Sequence, residues 1–183
     1  IVHKDNKTKG LEEIKLPVVL KSPDSTFSFG VKKAHTQEEY FELVTAMLKK
    51  SELIIAQAFS PSDYDWRIGV LDGKLLYASR YYMAQGHWQI YNWEAKKKKD
   101  QDGNADSLPL EDVPEKVLKL ALKSTKLLGP GLYGVDIKMI KNKALVIEIN
   151  DNPNIDAGVE DVWYGDQIYL EILKALKSRL EKK

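Results

Sequence analysis

The residues with the clearest capacity for chemistry are two carboxylates and an amide in the last third of the chain: Asp136, Glu148 and Asn150. The sequence predicts a hairpin there, with strands at 135–140 and 144–149 and a loop of the three residues between them. In that register Asp136 lies directly across from Glu148, and Asn150 points to the same face because strand side chains alternate. Oxygen ligands in small number suit Mg²⁺, which keeps waters and takes further oxygens from substrate phosphates.

A blander interpretation is that these three residues are solvated side chains on the polar face of an edge strand. A register slip of one residue would also put Asp136 and Glu148 on opposite faces and abolish the site. The neighbours favour the functional interpretation, since the apolar residues 146, 147 and 149 hold the strand and four turn-prone polar residues follow at 151–154. Like charges opposite each other destabilise a sheet, so we expect a cation between them.

The first third of the chain predicts two strands, a polar loop and a helix. An apolar run at 16–21 is typical of a strand, and it leads into a polar, Gly-containing loop at 22–31. Thr36 and Glu39 have the spacing of a capping box, so a helix should begin there. A second strand is predicted at 53–59.

The middle of the chain holds the strongest local signal. Predicted strands at 66–71 and 74–82 flank Asp72-Gly73, a dipeptide that favours a two-residue type I′ turn because both of its residues need positive φ. The polar stretch that follows, 83–105, is predicted to be a loop.

Two amphipathic helices complete the pattern. One begins near Pro114 and ends at Gly129, and the other covers 166–180. Helices and hairpins therefore interleave, which indicates a mixed α and antiparallel β protein and argues against a doubly wound parallel sheet.

Composition excludes several classes of protein. The chain has 183 residues, 28 Lys+Arg against 27 Asp+Glu, and no Cys. The missing cysteines exclude a disulfide scaffold and thiolate chemistry and are compatible with a reducing cytoplasm. No apolar run approaches the roughly 20 residues that span a bilayer, so we expect no membrane partner.

The charge pattern also argues against nucleic-acid binding. Near-neutral net charge is a poor match for phosphate backbones, and the basic run Lys96–Lys99 is offset at once by Asp100 and Asp102. The chain starts at Ile1 rather than at Met and has no signal-peptide pattern, so we expect it to be a piece of a longer protein.

Taken together, several segments resemble one superfamily. Residues 134–138 and 146–153 are similar to the paired metal-binding strands of ATP-grasp enzymes, and 150–161 resembles more narrowly the RimK-type carboxylate–amine ligases. Residues 18–31 resemble the ATP-binding lysine strand and phosphate-covering loop, and 54–59 the adenine hinge. Asp65-Trp66-Arg67 is similar to the family's Asp-x-Arg element.

The resemblance implies an α+β ATP-grasp fold with two lobes of mainly antiparallel sheet that clasp ATP. Residues 1–60 would form part of the smaller lobe, with the nucleotide lysine and phosphate loop. Residues 61–183 would form the larger lobe, with the metal site. The family's N-terminal region, including its first nucleotide-contacting lysine, would precede residue 1.

The resemblance also assigns roles to residues. The implied ATP-binding residues are Lys21, Ser25, Thr26, Ser28, Gly30, Gln57, Ala58, Phe59, Asp65 and Asn92. The implied metal ligands for Mg²⁺ or Mn²⁺ are Asp136, Glu148 and Asn150. Arg67 and Arg80 would be catalytic, with Arg80 facing the transferred phosphate. His87 and Asn152 would contact substrate.

The implied reaction is an ADP-forming ligation in which a substrate carboxylate is phosphorylated by ATP and then attacked by an amine. The RimK-type resemblance suggests that glutamate is added to an amine or peptide. Two alternatives stay open: a dipeptide or glutathione-like ligase, and a nucleotide-binding module without turnover.

Overall fold

The computed structural model describes residues 1–23 and 28–181. The chain divides into two compact units, Ile1–Pro61 and Ser62–Lys183. Each unit has its own antiparallel sheet and its own apolar core.

The first unit is a four-stranded sheet with two helices. Its strand order is β1-β4-β2-β3, and every pair is antiparallel. The strands are β1 (Val2–His3), β2 (Val18–Lys21), β3 (Lys32–Ala34) and β4 (Leu53–Ala58). The helices are α1 (Lys9–Glu13) and α2 (Gln37–Met47).

Helix α2 begins where its capping box predicts. The Thr36 side chain accepts a hydrogen bond from the Glu39 backbone N–H at 3.2 Å. The Glu39 carboxylate reaches back to the backbone N–H of His35 at 2.6 Å, one residue earlier than in the usual reciprocal box. Tyr40 and Val44 then enter the core of this unit, where both are fully buried.

The second unit is a five-stranded antiparallel sheet with the order β7-β6-β5-β8-β9. Its strands are β5 (Tyr64–Leu71), β6 (Lys74–Tyr82), β7 (Ala105–Leu108), β8 (Leu132–Ile140) and β9 (Lys143–Asn150). Its helices are α3 (Glu115–Thr125) and α4 (Gln167–Leu180). The predicted mixture of helices and antiparallel hairpins is therefore confirmed.

The β5–β6 turn has the predicted form. Asp72 and Gly73 have φ values of 48° and 76°, and Leu71 pairs with Lys74 across the two-residue turn. The polar stretch after β6 is mostly irregular, as predicted, but strand β7 begins at its last residue, and the sequence did not predict that strand. Strand β7 pairs with β6 over 105–108.

Helix α3 covers one face of the second sheet. Its buried residues Val117 and Ala121 pack with Trp66, Ile68 and Ile137 of the strands. Within the two described stretches of the chain, no helix is both long and apolar enough to cross a bilayer.

Candidate active site

The two faces of the second sheet differ because residues alternate along β5 and β8. Trp66 and Ile68 lie on the face that packs against α3, as does Ile137 of β8. The residues between them, Arg67 of β5 and Asp136 of β8, are direct register partners on the opposite face. We call that opposite face the polar face.

The hairpin β8–β9 brings the predicted carboxylates together, although its turn differs from the prediction. The turn contains two residues, Lys141 and Asn142, with φ values of 46° and 67°. Ile140 therefore pairs with Lys143, and the three-residue loop predicted here is wrong. Both turn residues adopt the left-handed conformation that Gly usually supplies. Because neither of them is Gly, the sequence gives no clear sign of this turn.

A β-bulge in β9 restores the predicted pairing of Asp136 with Glu148. The register shifts by one residue between Asp136 and Ile137, where Ile137 pairs with Val146 and Asp136 with Glu148. Ile147 is the extra residue on the bulged strand. An uninterrupted ladder from a two-residue turn would instead pair Glu148 with the core residue Val135.

The bulge also decides which side chains of β9 face the core. Before it, Ala144 and Val146 pack against the apolar core, and after it Ile149 does so. The change from even to odd numbers leaves Glu148 and Asn150 on the polar face with Asp136. The three predicted metal ligands thus share one face of two adjacent strands.

Arg67 holds Asp136 from the neighbouring strand. Its Nε and Nη2 donate to the two carboxylate oxygens of Asp136, the second at 3.0 Å. Each side chain is only 13% exposed. Burial alone would lower the pKa of Arg67, but the adjacent Asp136 carboxylate outweighs it and raises that pKa above its ordinary value. The geometry is the two-pronged pairing that orients a carboxylate strongly.

A second ion pair lies on the polar face and was not predicted from the sequence. The ammonium of Lys138 is 2.5 Å from Asp65 Oδ1 and 2.5 Å from the Ser62 hydroxyl. Asp65, one of the predicted ATP-binding residues, is buried. Burial raises its pKa, while Lys138 opposes that rise. Lys138 lies one residue after Ile137 of the core, so alternation along β8 could have placed its side chain on the same face as Asp136.

The loop after β9 is fixed to the sheet by Glu160. This carboxylate is 1% exposed and accepts hydrogen bonds from the Tyr81 hydroxyl and, at 2.8 Å, from the backbone N–H of Asp156. Pro153 of the same loop packs so closely on Gly134 that a Cβ there would lie 2.8 Å from the proline ring. The loop therefore has a defined path beside β8.

Tyr77 adds an unusual buried hydroxyl. The side chain is fully buried, and its hydroxyl has no hydrogen-bond partner among the described residues. Its ring fills the space above Gly69, where a Cβ would lie 2.3 Å away. Burial raises the pKa of Tyr77, Arg67 opposes the rise and Glu160 adds to it, so the hydroxyl lies in the field of the polar-face charges.

The structure does not bring Arg80 to the polar face. Arg80 pairs in register with Trp66, whose side chain is on the α3 side of the sheet. Its guanidinium forms two hydrogen bonds to Asp106, at 2.8 and 2.5 Å, and these raise its pKa. The rings of Tyr64 and Tyr82 lie 5.4 and 5.7 Å from it. Alternation along β6 therefore places Arg80 and Arg67 on opposite faces of the sheet, and the catalytic role of Arg80 stays a prediction.

The long loop after β6 carries the predicted residues His87 and Asn92. His87 Nε2 lies 3.3 Å from the Gln89 side chain, and Asn92 Oδ1 accepts the backbone N–H of Glu94 at 3.2 Å. Neither of these hydrogen bonds involves a residue of β8 or β9. In the same loop, burial raises the pKa of Tyr91, and Arg67 opposes that rise. Asn152, the other predicted substrate residue, is exposed in the loop after β9.

The predicted nucleotide residues of the first unit lie on two paired strands and one turn. Lys21 ends β2 and pairs with Ile55 of β4, next to the pairs that Gln57 and Ala58 form with β2. Phe59 continues this ladder by donating its backbone N–H to Pro17 at 3.2 Å.

The predicted phosphate loop is described only in part. Ser28 and Gly30 form a turn with φ values of 61° and 71°. Ser25 and Thr26 lie outside the described residues.

The donor set fits a hard divalent cation. Two carboxylates and one amide offer oxygen ligands from adjacent strand positions, which is the chemistry that Mg²⁺ and Mn²⁺ prefer. Among residues 1–23 and 28–181, no three His, Cys, Asp or Glu side chains cluster as metal ligands. The set Asp136, Glu148 and Asn150 contains only two such side chains and one amide, so its role as a metal-binding set stays a prediction.

Comparison with known proteins points to one family. The sequence model of the D-Ala–D-Ala ligase C-terminus matches residues 2–157. A probable alpha-L-glutamate ligase 2 from Pseudoalteromonas atlantica is 27% identical over 146 residues, which are 79% of this chain and 45% of that protein. A D-alanine–D-alanine ligase B from Clostridium tetani is 28% identical over 161 residues, with 82% and 43% covered. The chain thus spans a little under half the length of these relatives.

Solved structures share the fold. D-alanine–D-alanine ligase from Bacillus anthracis superposes with a TM-score of 0.73 at 19% identity, covering 100% of this chain and 60% of that one. The ATP-grasp ligase PsnB, complexed with a precursor variant, Mg and ADP, gives a TM-score of 0.64 at 13% identity, with 95% and 52% covered. The predicted α+β ATP-grasp fold is confirmed.

Proposed function

Because the chain belongs to the D-Ala–D-Ala ligase C-terminus family of ATP-grasp proteins, we propose that it forms the nucleotide- and metal-binding part of an ADP-forming carboxylate–amine ligase. The relatives named as glutamate ligases and as D-alanine–D-alanine ligase support this reaction class. A glutamate ligase that modifies an amine or peptide is the narrower form of the proposal.

One observation carries the proposal: Asp136 and Glu148 are direct partners on adjacent strands. Two carboxylates opposite each other repel in the absence of a cation. Arg67 offsets part of that charge by binding Asp136. The chain maintains this costly arrangement through a β-bulge, which is typical of functional sites.

Magnesium would be held by Asp136, Glu148 and Asn150. When bound, it would neutralise charge on the phosphate oxygens of ATP. Arg67 keeps the Asp136 carboxylate in one orientation through its two hydrogen bonds. The guanidinium also places positive charge beside the ligand set, which suits a reaction that develops negative charge on the transferred phosphoryl group.

The chemistry asks for positioning more than for an acid or base. A substrate carboxylate oxygen attacks the γ-phosphorus of ATP, the bond to the bridging oxygen breaks, and ADP leaves. An amine then attacks the acyl carbon, and phosphate leaves as the amide forms. Lys21 and the turn at Ser28 and Gly30 are proposed to contact the phosphates, and Gln57, Ala58 and Phe59 the adenine.

Transfer of ¹⁸O tests this reaction directly. A protein containing this chain is incubated with Mg²⁺, ATP, an amine panel and glutamate labelled with ¹⁸O in its carboxylates. We expect one ¹⁸O atom in the phosphate released per amide formed, because the attacking carboxylate oxygen stays on phosphorus. Phosphate without label, released only when both substrates are present, would contradict an acylphosphate route. A panel of other carboxylic acids separates a glutamate ligase from a dipeptide-type ligase.

A nucleotide-binding module without turnover is the second candidate. The placement of Arg80 on the α3 side favours it, because the polar face then lacks one of the two predicted catalytic arginines. ATP and Mg²⁺ binding without any phosphate release, across the whole acid and amine panel, would support this candidate over the ligase.

A further inference from the structure

Glu160 is the most deeply buried carboxylate described in the second unit, at 1% exposed. A buried carboxylate is costly unless hydrogen bonds stabilise it. Two donors do so here, the Tyr81 hydroxyl and the backbone N–H of Asp156. No role assigned so far to the site uses this residue.

Tyr81 links Glu160 to the metal-ligand set. Tyr81 lies on β6 in register with Asp65, on the polar face. The guanidinium of Arg67 lies over the Tyr81 ring, 5.2 Å from its centre. The ring is therefore bound at its hydroxyl by Glu160 and covered on its face by the arginine that holds Asp136.

We propose that Glu160 and Tyr81 are positioning residues that fix the Arg67 guanidinium and, through it, the orientation of the Asp136 carboxylate. The inference rests on the proposed function, since it assumes that Asp136 binds the metal. A phenol that donates its proton to a carboxylate has a more electron-rich ring, which strengthens its attraction for a guanidinium. Arg67 is one contact removed from the proposed ligand Asp136, and partners at that distance commonly control metal affinity. Tyr81 and Glu160 act on that affinity through Arg67.

The chain offers a matched control for loop anchoring. The Ser107 hydroxyl of β7 donates to the backbone carbonyl of Val159, the residue next to Glu160. It anchors the same loop to the same sheet, and its other side-chain contact is with Ser79. Ser107→Ala therefore loosens the loop without touching Tyr81 or Arg67.

The test measures Mn²⁺ binding by the 183-residue chain in the presence of a non-hydrolysable ATP analogue. Free Mn²⁺ is followed by its electron paramagnetic resonance signal. We expect Glu160→Gln and Tyr81→Phe each to weaken Mn²⁺ binding about 3- to 10-fold, less than the roughly 10- to 100-fold that follows loss of a direct partner of a ligand. The double variant should bind no more weakly than the weaker single variant, because both changes break one chain of contacts. Ser107→Ala should lower the melting temperature while Mn²⁺ affinity stays within about twofold of wild type.

The outcomes separate the two claims. If the wild type binds Mn²⁺ and both Glu160→Gln and Tyr81→Phe bind it with the same affinity, the positioning role is overturned. The proposed function then stays intact. An equal loss in Ser107→Ala also overturns it, because loop anchoring would then explain the effect. No Mn²⁺ binding by the wild type overturns the proposed metal site and this inference together. If Glu160→Gln does not fold, Tyr81→Phe alone decides the matter, since it retains the ring and removes only the hydroxyl.

Discussion

The two faces of the five-stranded sheet are built from the same strands by different physical means. On the α3 side, Ile68 and Ile137 are fully buried among apolar neighbours, and burial of area stabilises them without a required direction. On the polar face, Arg67 and Asp136 depend on hydrogen bonds of defined direction. The comparison teaches that substitutions on the first face should change stability, whereas those on the second should also change binding.

The largest expected effect is on the apolar side. Ile137→Ala removes a fully buried side chain from the core, and we expect the free energy of unfolding to fall by about 2–5 kcal/mol. Leu173→Ala, at a position 61% exposed on α4, should change it by less than about 0.5 kcal/mol. Denaturant unfolding measures both. A loss of metal affinity in folded Ile137→Ala larger than that in a polar-face variant would break the comparison.

On the polar face, Asp136→Asn should destabilise the fold and abolish the metal response. It leaves the Arg67 guanidinium without its charge partner at a position 13% exposed, so we expect a loss of about 2–3 kcal/mol, somewhat below that for a fully buried pair. The paired change of Arg67→Met with Asp136→Leu serves as the control, because it leaves no unpaired charge. It should be less destabilising than Asp136→Asn, and an equal or larger loss would argue against the ion-pair explanation.

Alkaline pH should lower the free energy of unfolding in part through Tyr81 on the polar face. Burial, and then the hydrogen bond to Glu160, raise the pKa of Tyr81 above its ordinary value of 10.0. The contribution of the protonated Tyr81 hydroxyl to the free energy of unfolding is thus fully present below pH 10. It is lost as the pH rises further, because there the unfolded chain releases the phenol proton while the folded chain keeps it. Each tyrosine whose pKa is raised in this way makes the free energy of unfolding fall by at most about 1.4 kcal/mol more per pH unit. Tyr81→Phe should show a shallower decline in denaturant unfolding between pH 10 and 11.5; parallel curves would contradict this.

The smallest expected effect comes from Tyr77. Its buried hydroxyl has no hydrogen-bond partner in the described parts of the chain, so Tyr77→Phe removes an unsatisfied polar group and keeps the ring. We expect a gain of about 1 kcal/mol in the free energy of unfolding. Tyr133→Phe is the matched control, since its hydroxyl lies 3.5 Å from a backbone carbonyl. Destabilisation by Tyr77→Phe would mean that its hydroxyl is satisfied in solution.

The sequence predicted the elements more reliably than the details that orient the site. The Asp72-Gly73 turn was readable because Gly marks a positive φ, while the turn at Lys141 and Asn142 has the same form without that mark. The bulge at Ile147 lies inside a uniformly apolar run, so alternation gave no sign of it. The predicted pairing of Asp136 with Glu148 is nevertheless observed, because the shorter turn and the bulge compensate each other.

Other features depend on contacts distant in sequence. The pairing of Lys138 with Asp65 and of Tyr81 with Glu160 joins residues more than 70 positions apart. Strand β7 forms from residues of weak strand propensity because β6 offers it an open edge. The opposite placement of Arg67 and Arg80 follows from alternation along paired strands, which a family resemblance alone does not resolve.

The central claim is that Asp136, Glu148 and Asn150 hold a divalent metal together with ATP, and thermal unfolding tests it most directly. A ligand that binds only the folded state stabilises it by about 2.7 kcal/mol at one hundred times its dissociation constant. We predict that millimolar ATP with Mg²⁺ raises the melting temperature of the wild type by several degrees, and that the double variant Glu148→Ala, Asn150→Ala loses the Mg²⁺-dependent part of that rise. No rise in the wild type, or an equal rise in the double variant, would contradict the account.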